Sequence, residues 1–286
     1  MRPILVTGGT GQVGTALAAR AAERGIEVVL PGRAALDLTD PDALARAVAG
    51  RDWGLVINCA AYTAVDKAES DADTARAVNA AAPAALARAT AAAGIRLIHV
   101  STDYVFDGSK PGWYDEDDPV APLGVYGATK EAGEAAVRAA NPDHVILRTA
   151  WVVSPFGHNF VKTMLRLGAE RDTLRVVADQ IGCPTSAIDI ADALLSIAAG
   201  GGPAGTYHFV NAGEASWHAL AAFVIARAGL AARVDPITTA DYPTPARRPA
   251  NSRLATARIA RDHGLSPRPW QDAVGEIVDR LTGRNG

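Results

Sequence analysis

Tyr126 and Lys130 stand four residues apart in the run Tyr126-Gly-Ala-Thr-Lys130. In a helix that spacing puts both side chains on one face. A lysine ammonium beside a phenol stabilises the phenolate and lowers the tyrosine pKa. Tyr126 then acts as a general acid close to neutral pH, and Lys130 can also hold a cofactor ribose. A surface helix pair is the alternative, because tyrosine and lysine often fall at this spacing. Thr102 lies in the run His99-Val100-Ser101-Thr102-Asp103-Tyr104, at the end of an apolar strand. Ligands of open α/β sheets bind at such carboxyl ends. Its hydroxyl can bond a substrate carbonyl, or it only caps the strand. Asp103 either belongs to the substrate's surroundings or caps the turn.

A second group of residues is suited to a dinucleotide. Gly8, Gly11 and Gly14 recur every third residue directly after Ile4-Leu5-Val6. That spacing lets the backbone turn tightly and approach a pyrophosphate, while a following helix offers free N–H groups. An ordinary glycine turn is the alternative, and position after the first strand favours the dinucleotide. The second strand ends in Leu30-Pro31-Gly32-Arg33, without the acidic residue that would bond a ribose 2′-hydroxyl. Arg33 can pair with a 2′-phosphate through its planar fork, or it is a solvated loop arginine. This favours NADPH, with NADH as the alternative. Asp37 and Leu38 would lie near the adenine. Cys59, Ala60 and Ala61, after the third strand, offer small side chains beside the cofactor.

These residues need a scaffold that brings strand ends together. Strands are expected at 4–6, 27–30, 55–57, 97–100 and 145–147, as continuous apolar runs separated by helical patterns. Helices are expected over about 12–24 and after Asp40-Pro41, an N-cap followed by proline at the first helical position. Such a series predicts an α/β fold with a doubly wound parallel sheet. After about residue 150 proline and glycine thicken. A helix over about 187–199 is assigned to the sheet domain. A strand near 206–210 and helices near 216–229 and 270–283 follow. The expected division is 1–150 plus about 175–200 for the Rossmann-type domain. Residues 151–174 plus 201–286 would form a smaller α/β substrate-binding lobe.

Composition bounds the function. The 286 residues carry a net charge of -3, which argues against a general nucleic-acid binder. With 49% hydrophobic residues the chain can bury a large core, so disorder is excluded. No uninterrupted apolar run reaches bilayer length, and no signal-peptide pattern opens the chain. A cytoplasmic protein is expected, with no membrane or nucleic-acid partner. Two cysteines, Cys59 and Cys183, make neither a disulfide framework nor a zinc site. No metal ligand set is expected.

Taken together, several runs resemble the extended short-chain dehydrogenase/reductases, and within them the dTDP-4-dehydrorhamnose reductase family. They are Gly11-Gln12-Val13-Gly14, Asn58-Cys-Ala-Ala-Tyr-Thr-Ala-Val-Asp-Lys-Ala-Glu69, Ser101-Thr-Asp-Tyr-Val-Phe106, Val125-Tyr-Gly-Ala-Thr-Lys130 and Arg148-Thr-Ala-Trp151. Three more are Asn159-Phe-Val-Lys-Thr-Met-Leu-Arg166, Asp179-Gln-Ile-Gly-Cys-Pro-Thr185 and the proline-rich 242–254. The resemblance implies Thr102, Tyr126 and Lys130 as the catalytic set. It implies Gly8, Gly11, Gln12, Val13 and Gly14 as the cofactor loop. Thr63, Val65 and Asp66 would fall on the substrate loop. Trp151 would shape the sugar pocket, or be a core tryptophan, and Asn251 and Arg253 would hold the nucleotide end. Some relatives bind Mg²⁺ between subunits through glutamates. Here Thr15 and Ile188 occupy those places, which disfavours the metal and leaves monomer or homodimer open. The implied reaction is NADPH-dependent reduction of the 4-keto group of a dTDP-4-dehydro-L-rhamnose substrate. Reduction of another dTDP-4-keto-6-deoxyhexose, or a non-catalytic NADP-binding regulatory subunit, are the competing readings.

Overall fold

The computed structural model describes residues 2–284. The N-terminal half alternates strand and helix. Ile4–Thr7 (β1) runs into Gln12–Glu23 (α1), followed by Val28–Val29 (β2) and Pro41–Ala49 (α2). Asp40 caps α2 as its spacing predicts, accepting from the N–H groups of Asp42 at 2.9 Å and Ala43 at 3.0 Å. Next come Leu55–Asn58 (β3), the short helices Val65–Ala68 (α3) and Ala72–Arg76 (α4), and Ala82–Ala92 (α5). A π-helical turn, Ala77–Ala81, joins α4 to α5. Arg96–Thr102 (β4), Val125–Ala140 (α6) and His144–Thr149 (β5) complete this half.

The second half holds Val152–Val153 (β6), Phe160–Glu170 (α7), Thr173–Val177 (β7), Ile181–Gly182 (β8), Thr185–Ser186 (β9) and Ala187–Gly200 (α8). Gly205–His208 (β10), Ala215–Ser216 (β11), Trp217–Arg227 (α9), Arg233–Ile237 (β12) and Asn251–Ser252 (β13) follow. Ala257–His263 (α10) and Trp270–Thr282 (α11) close the described chain.

Six strands form one parallel sheet in the order β2-β1-β3-β4-β5-β10. Side chains alternate between its two faces, and both are buried. Ile4, Val6, Leu55, Ile57 and Ile98 pack with α1 and α8, while Leu5, Val56, Leu97 and Ile146 pack with α2 and α5. Alanines Ala16, Ala21, Ala187 and Ala191 lie in the first of these cores, where small side chains let helices approach closely. This is the doubly wound fold that the strand pattern predicts. The chain leaves β1 toward β2 and returns through β3 on β1's other side. The crevice between β1 and β3 is therefore the switch point where such sheets take ligands.

A second core lies away from the sheet. It joins Val161 and Met164 of α7, Leu220 and Val224 of α9, and Val274 and Ile277 of α11. β7 pairs with β12, and Leu174 and Val176 belong to this core. Residues 173–177 thus pack here and not on the six-stranded sheet. Among the described residues, no helix is long and apolar enough to cross a membrane.

Candidate active site

The glycine loop is built for close approach. Gly8 has φ +78°, and a Cβ there would stand 2.5 Å from the Ala60 nitrogen. A Cβ at Gly14 would stand 2.2 Å from the Gly8 carbonyl oxygen. Only glycine fits either place, so β1, α1 and the end of β3 are held together. Gly11 is the N-cap of α1 and has no side chain with which to cap it. The first N–H groups of that helix therefore point outward without an internal partner.

A cleft of about 890 Å³ opens along this loop and the carboxyl ends of β3 and β4. Gly8, Gly11, Gln12 and Val13 line it, as do Cys59, Ala60, Ala61, Thr63 and Val65. Arg33, Asp37 and Leu38 line one end; Thr102, Asp103, Tyr126, Lys130 and Trp151 line the other. Gly14 stays behind the loop as a packing residue. Arg33 is exposed at the rim, and the Asp37 carboxyl is held low by hydrogen bonds from Thr39 and by Arg33.

Thr102 ends β4, and Tyr126 opens α6. Glu69 fixes that helix start, accepting from the Val125 N–H at 2.9 Å. A buried ion pair sets the helix on the sheet: Arg148 of β5 and Glu134 of α6 meet at 2.7 Å. Removing one partner of such a pair costs about 3–5 kcal/mol. Lys130 is 1% exposed and donates to the Val100 carbonyl at 2.8 Å. Burial pushes its amine down to about 8.

The phenol of Tyr126 differs from the expectation drawn from spacing. Burial pushes it up to about 12, with the Thr102 hydrogen bond opposing. Desolvation of the phenolate dominates, the Asp103 charge adds to it, and the Lys130 Nζ is turned to Val100 and His99. Tyr126 therefore holds its proton firmly at neutral pH. Its ring meets Tyr104 edge-on at 5.4 Å.

The Thr102 hydroxyl bonds Asp103 Oδ1 at 3.0 Å. Asp103 Oδ2 is buried with no hydrogen-bond partner of ordinary geometry among the described residues. Burial raises the Asp103 carboxyl to about 6. Trp151 has φ +48°, the left-handed region that favours glycine, and its ring stacks on Trp217 at 3.6 Å. Gly182 makes room for that ring, since a Cβ there would stand 2.4 Å from it.

Three further residues named from the sequence sit outside the cleft lining. Asp66 grips Arg248 through both carboxylate oxygens at 3.0 Å. Asn251 donates to the carbonyls of Lys110 and Gly112, at 2.6 and 2.7 Å. Arg253 is engaged by Asn251, Glu214 and the Pro111 carbonyl. Their polar groups hold the 107–114 and 242–254 segments in place.

The family model described as RmlD substrate binding domain matches residues 1–282. The chain belongs to this family. A dTDP-4-dehydrorhamnose reductase of Sinorhizobium fredii is 45% identical over 285 residues, covering 96% of each chain. The crystal structure of a dTDP-4-dehydrorhamnose reductase from Clostridium acetobutylicum matches with TM-score 0.94 at 39% identity, covering 98% of this chain and 99% of that one. One from Bacillus anthracis, in complex with NADP, matches with TM-score 0.93 at 34% identity, over 98% and 99% of the two chains.

In this RmlD-family chain several residues that support the cleft walls escape sequence reasoning. Arg248 reaches Asp66 across 182 positions. Trp217 supports Trp151 and donates its Nε1–H to Gln180 at 3.2 Å. Asn79, in the π turn, accepts from the Tyr62 N–H at 2.8 Å and donates to Thr129 at 3.1 Å. It thereby pins α6 to the loop after β3. Gln12 lines the cleft, and its side-chain Oε1 also accepts from Ser154 at 2.8 Å and Asn159 at 3.0 Å. It links α1 to the segment that leads into α7. Thr15 lies on α1 and Ile188 on α8, and no group of three or more His, Cys, Asp or Glu among the described residues could hold a metal.

Proposed function

We propose that this chain reduces the 4-keto group of dTDP-4-dehydro-L-rhamnose to give dTDP-L-rhamnose, with NADPH as reductant. The observation that carries the reading is one cleft holding an uncapped helix N-terminus after a glycine loop together with Thr102, Tyr126 and Lys130. Relatives at 45% identity over nearly the full length bear the name of that activity.

The residues present fit a dinucleotide. The uncapped N–H groups of α1 suit a pyrophosphate, and Arg33 at the open end suits a 2′-phosphate. The cleft is of ordinary size for a cofactor site. Bound NADPH supplies the hydride that reduces the sugar carbonyl.

This chain's residues handle the charge and the proton. As negative charge grows on the sugar O4, Tyr126 gives up its phenolic proton to that oxygen. A phenol pushed up to about 12 is fully protonated at neutral pH and so always ready as an acid. Thr102 turns its hydroxyl from Asp103 to donate to the same oxygen. Lys130, in its ammonium form, stabilises the tyrosinate left behind. Trp151, braced by Trp217, forms the wall against which the sugar packs. The smaller core, with the 242–254 segment, serves as the sugar-nucleotide lobe. Tyr126→Phe removes the only proton that the phenol can give. Its kcat at saturating substrate is expected to fall by about 10²–10⁴-fold, and near-wild-type turnover would sink the assignment.

A further inference from the structure

Behind Lys130 lies a buried chain of polar groups that the mechanism above does not use. Thr7 donates its hydroxyl to Asn58 Oδ1 at 2.6 Å, and Asn58 Nδ2 lies 3.0 Å from His99 Nδ1. His99 Nε2 lies 3.4 Å from Lys130 Nζ. Thr7, Asn58 and His99 end or sit within three adjacent strands, and Asn58 and His99 are fully enclosed.

The hydrogen positions in this chain follow from one backbone group. The Ala60 N–H can only donate, and it points at Asn58 Oδ1 at 3.1 Å. That atom is therefore the amide oxygen, and the nitrogen faces His99. An amide nitrogen only donates, so His99 Nδ1 must offer a lone pair. Burial and the nearby Lys130 charge hold the imidazole well below its usual pKa, so it is neutral. Its single proton then sits on Nε2 and points at Lys130. An N–H directed at an amine is satisfied when the amine is neutral and opposed when it is an ammonium.

We propose that His99 is a positioning residue for Lys130: locked by Asn58 in the Nε2–H form, it favours the neutral amine and makes the lysine a titrating group. This rests on the reading of Lys130 as the partner of Tyr126. The other groups facing the amine do not reverse it. Glu134, on the same helix, is taken up by Arg148 and Ser101. The Cys59 thiol is pushed up to about 12 by burial and stays neutral. The Tyr126 phenol is neutral as well, and no carboxylate stands within ion-pair distance of Nζ among the described residues. Burial alone already brings the Lys130 amine down to about 8, so the His99 N–H acts on a lysine that is within reach of titration.

The test is Asn58→Asp, which keeps an oxygen for Ala60 and Thr7 but replaces the donor facing His99 with an acceptor. His99 must then carry its proton on Nδ1 and turn a lone pair to Lys130. Nitrogen NMR of His99 and carbon NMR of the Lys130 side chain are followed against pH in the whole protein. In the wild type, Nε2 is expected protonated and Nδ1 bare, with Lys130 titrating near 8. In Asn58→Asp the two nitrogens exchange, and the lysine titration and the basic limb of kcat rise together by about one pH unit. His99→Phe, which deletes the N–H, moves the lysine the same way and serves if Asn58→Asp fails to fold. A bare Nε2 in the wild type overturns the proposal. So does a shift in Asn58→Asp without exchange of the nitrogens, since that shift is the added charge alone. The lysine titration reads without turnover, so a wild type that fails to reduce the sugar sinks the functional reading separately.

Discussion

At the residue scale, the proposed trio of Thr102, Tyr126 and Lys130, which lines one cleft, was legible because each signal is local. The Tyr126–Lys130 spacing specifies one helical face, and Thr102 closes an apolar strand that must end at the sheet edge. The state of each group was not legible, because burial decides it. Asp103 shows the same rule and gives a stability prediction. Its folded carboxyl keeps a proton to about pH 6, the unfolded one only to 3.8. The penalty for folding is absent at low pH, grows as pH rises toward 6, and then levels. At pH 7.5 it is about 3 kcal/mol, from 1.36 kcal/mol per pKa unit. Asp103→Asn removes the charge without changing shape. It is expected to raise the unfolding temperature at pH 7.5 and to lose that advantage as pH falls toward 4. An equal gain at both ends of the range would show that the buried charge is not the cause.

At the scale of elements, strand periodicity exposed the sheet because each strand is apolar on both faces. Two-residue strands such as β6 and β9, and the π turn at Asn79, leave no such pattern. They form because tertiary contacts hold them. The glycine loop was legible as a motif, but its strictness is a matter of packing. At Gly14 the obstacle to a Cβ is backbone, the Gly8 carbonyl, which cannot rotate away. Gly14→Ala is expected to push α1 off the loop and to weaken NADPH binding by at least tenfold, measured by fluorescence titration. It should also cost about 1–3 kcal/mol of stability, as overpacking does. Unchanged affinity would mean that the N-terminus of α1 does not hold the cofactor.

At the scale of the molecule, the sequence singled out Asp66, Asn251 and Arg253 of the contacts that anchor the proline-rich segment, but not Arg248, the partner of Asp66. Arg248 sits one proline before Ala250 and gives no signal of its own beside Arg247. Its contact with Asp66 exists only because the fold brings the two ends together. The pair is partly exposed, so its worth to stability is about 1 kcal/mol or less. Its worth to function is larger if the 242–254 segment closes over the sugar nucleotide. Asp66→Asn is therefore expected to leave the unfolding temperature almost unchanged while KM for the sugar nucleotide rises severalfold. A loss of stability with unchanged KM would make the pair a simple staple. The central claim concerns the whole cleft: hydride from NADPH to the 4-keto carbon of one sugar, with Tyr126 supplying the proton. It is tested most directly by following cofactor absorbance with purified protein, NADPH and a panel of dTDP- and UDP-4-keto sugars. The predicted result is oxidation with the highest kcat/KM for dTDP-4-dehydro-L-rhamnose and dTDP-L-rhamnose as product; NADPH binding without oxidation by any sugar in the panel would contradict it.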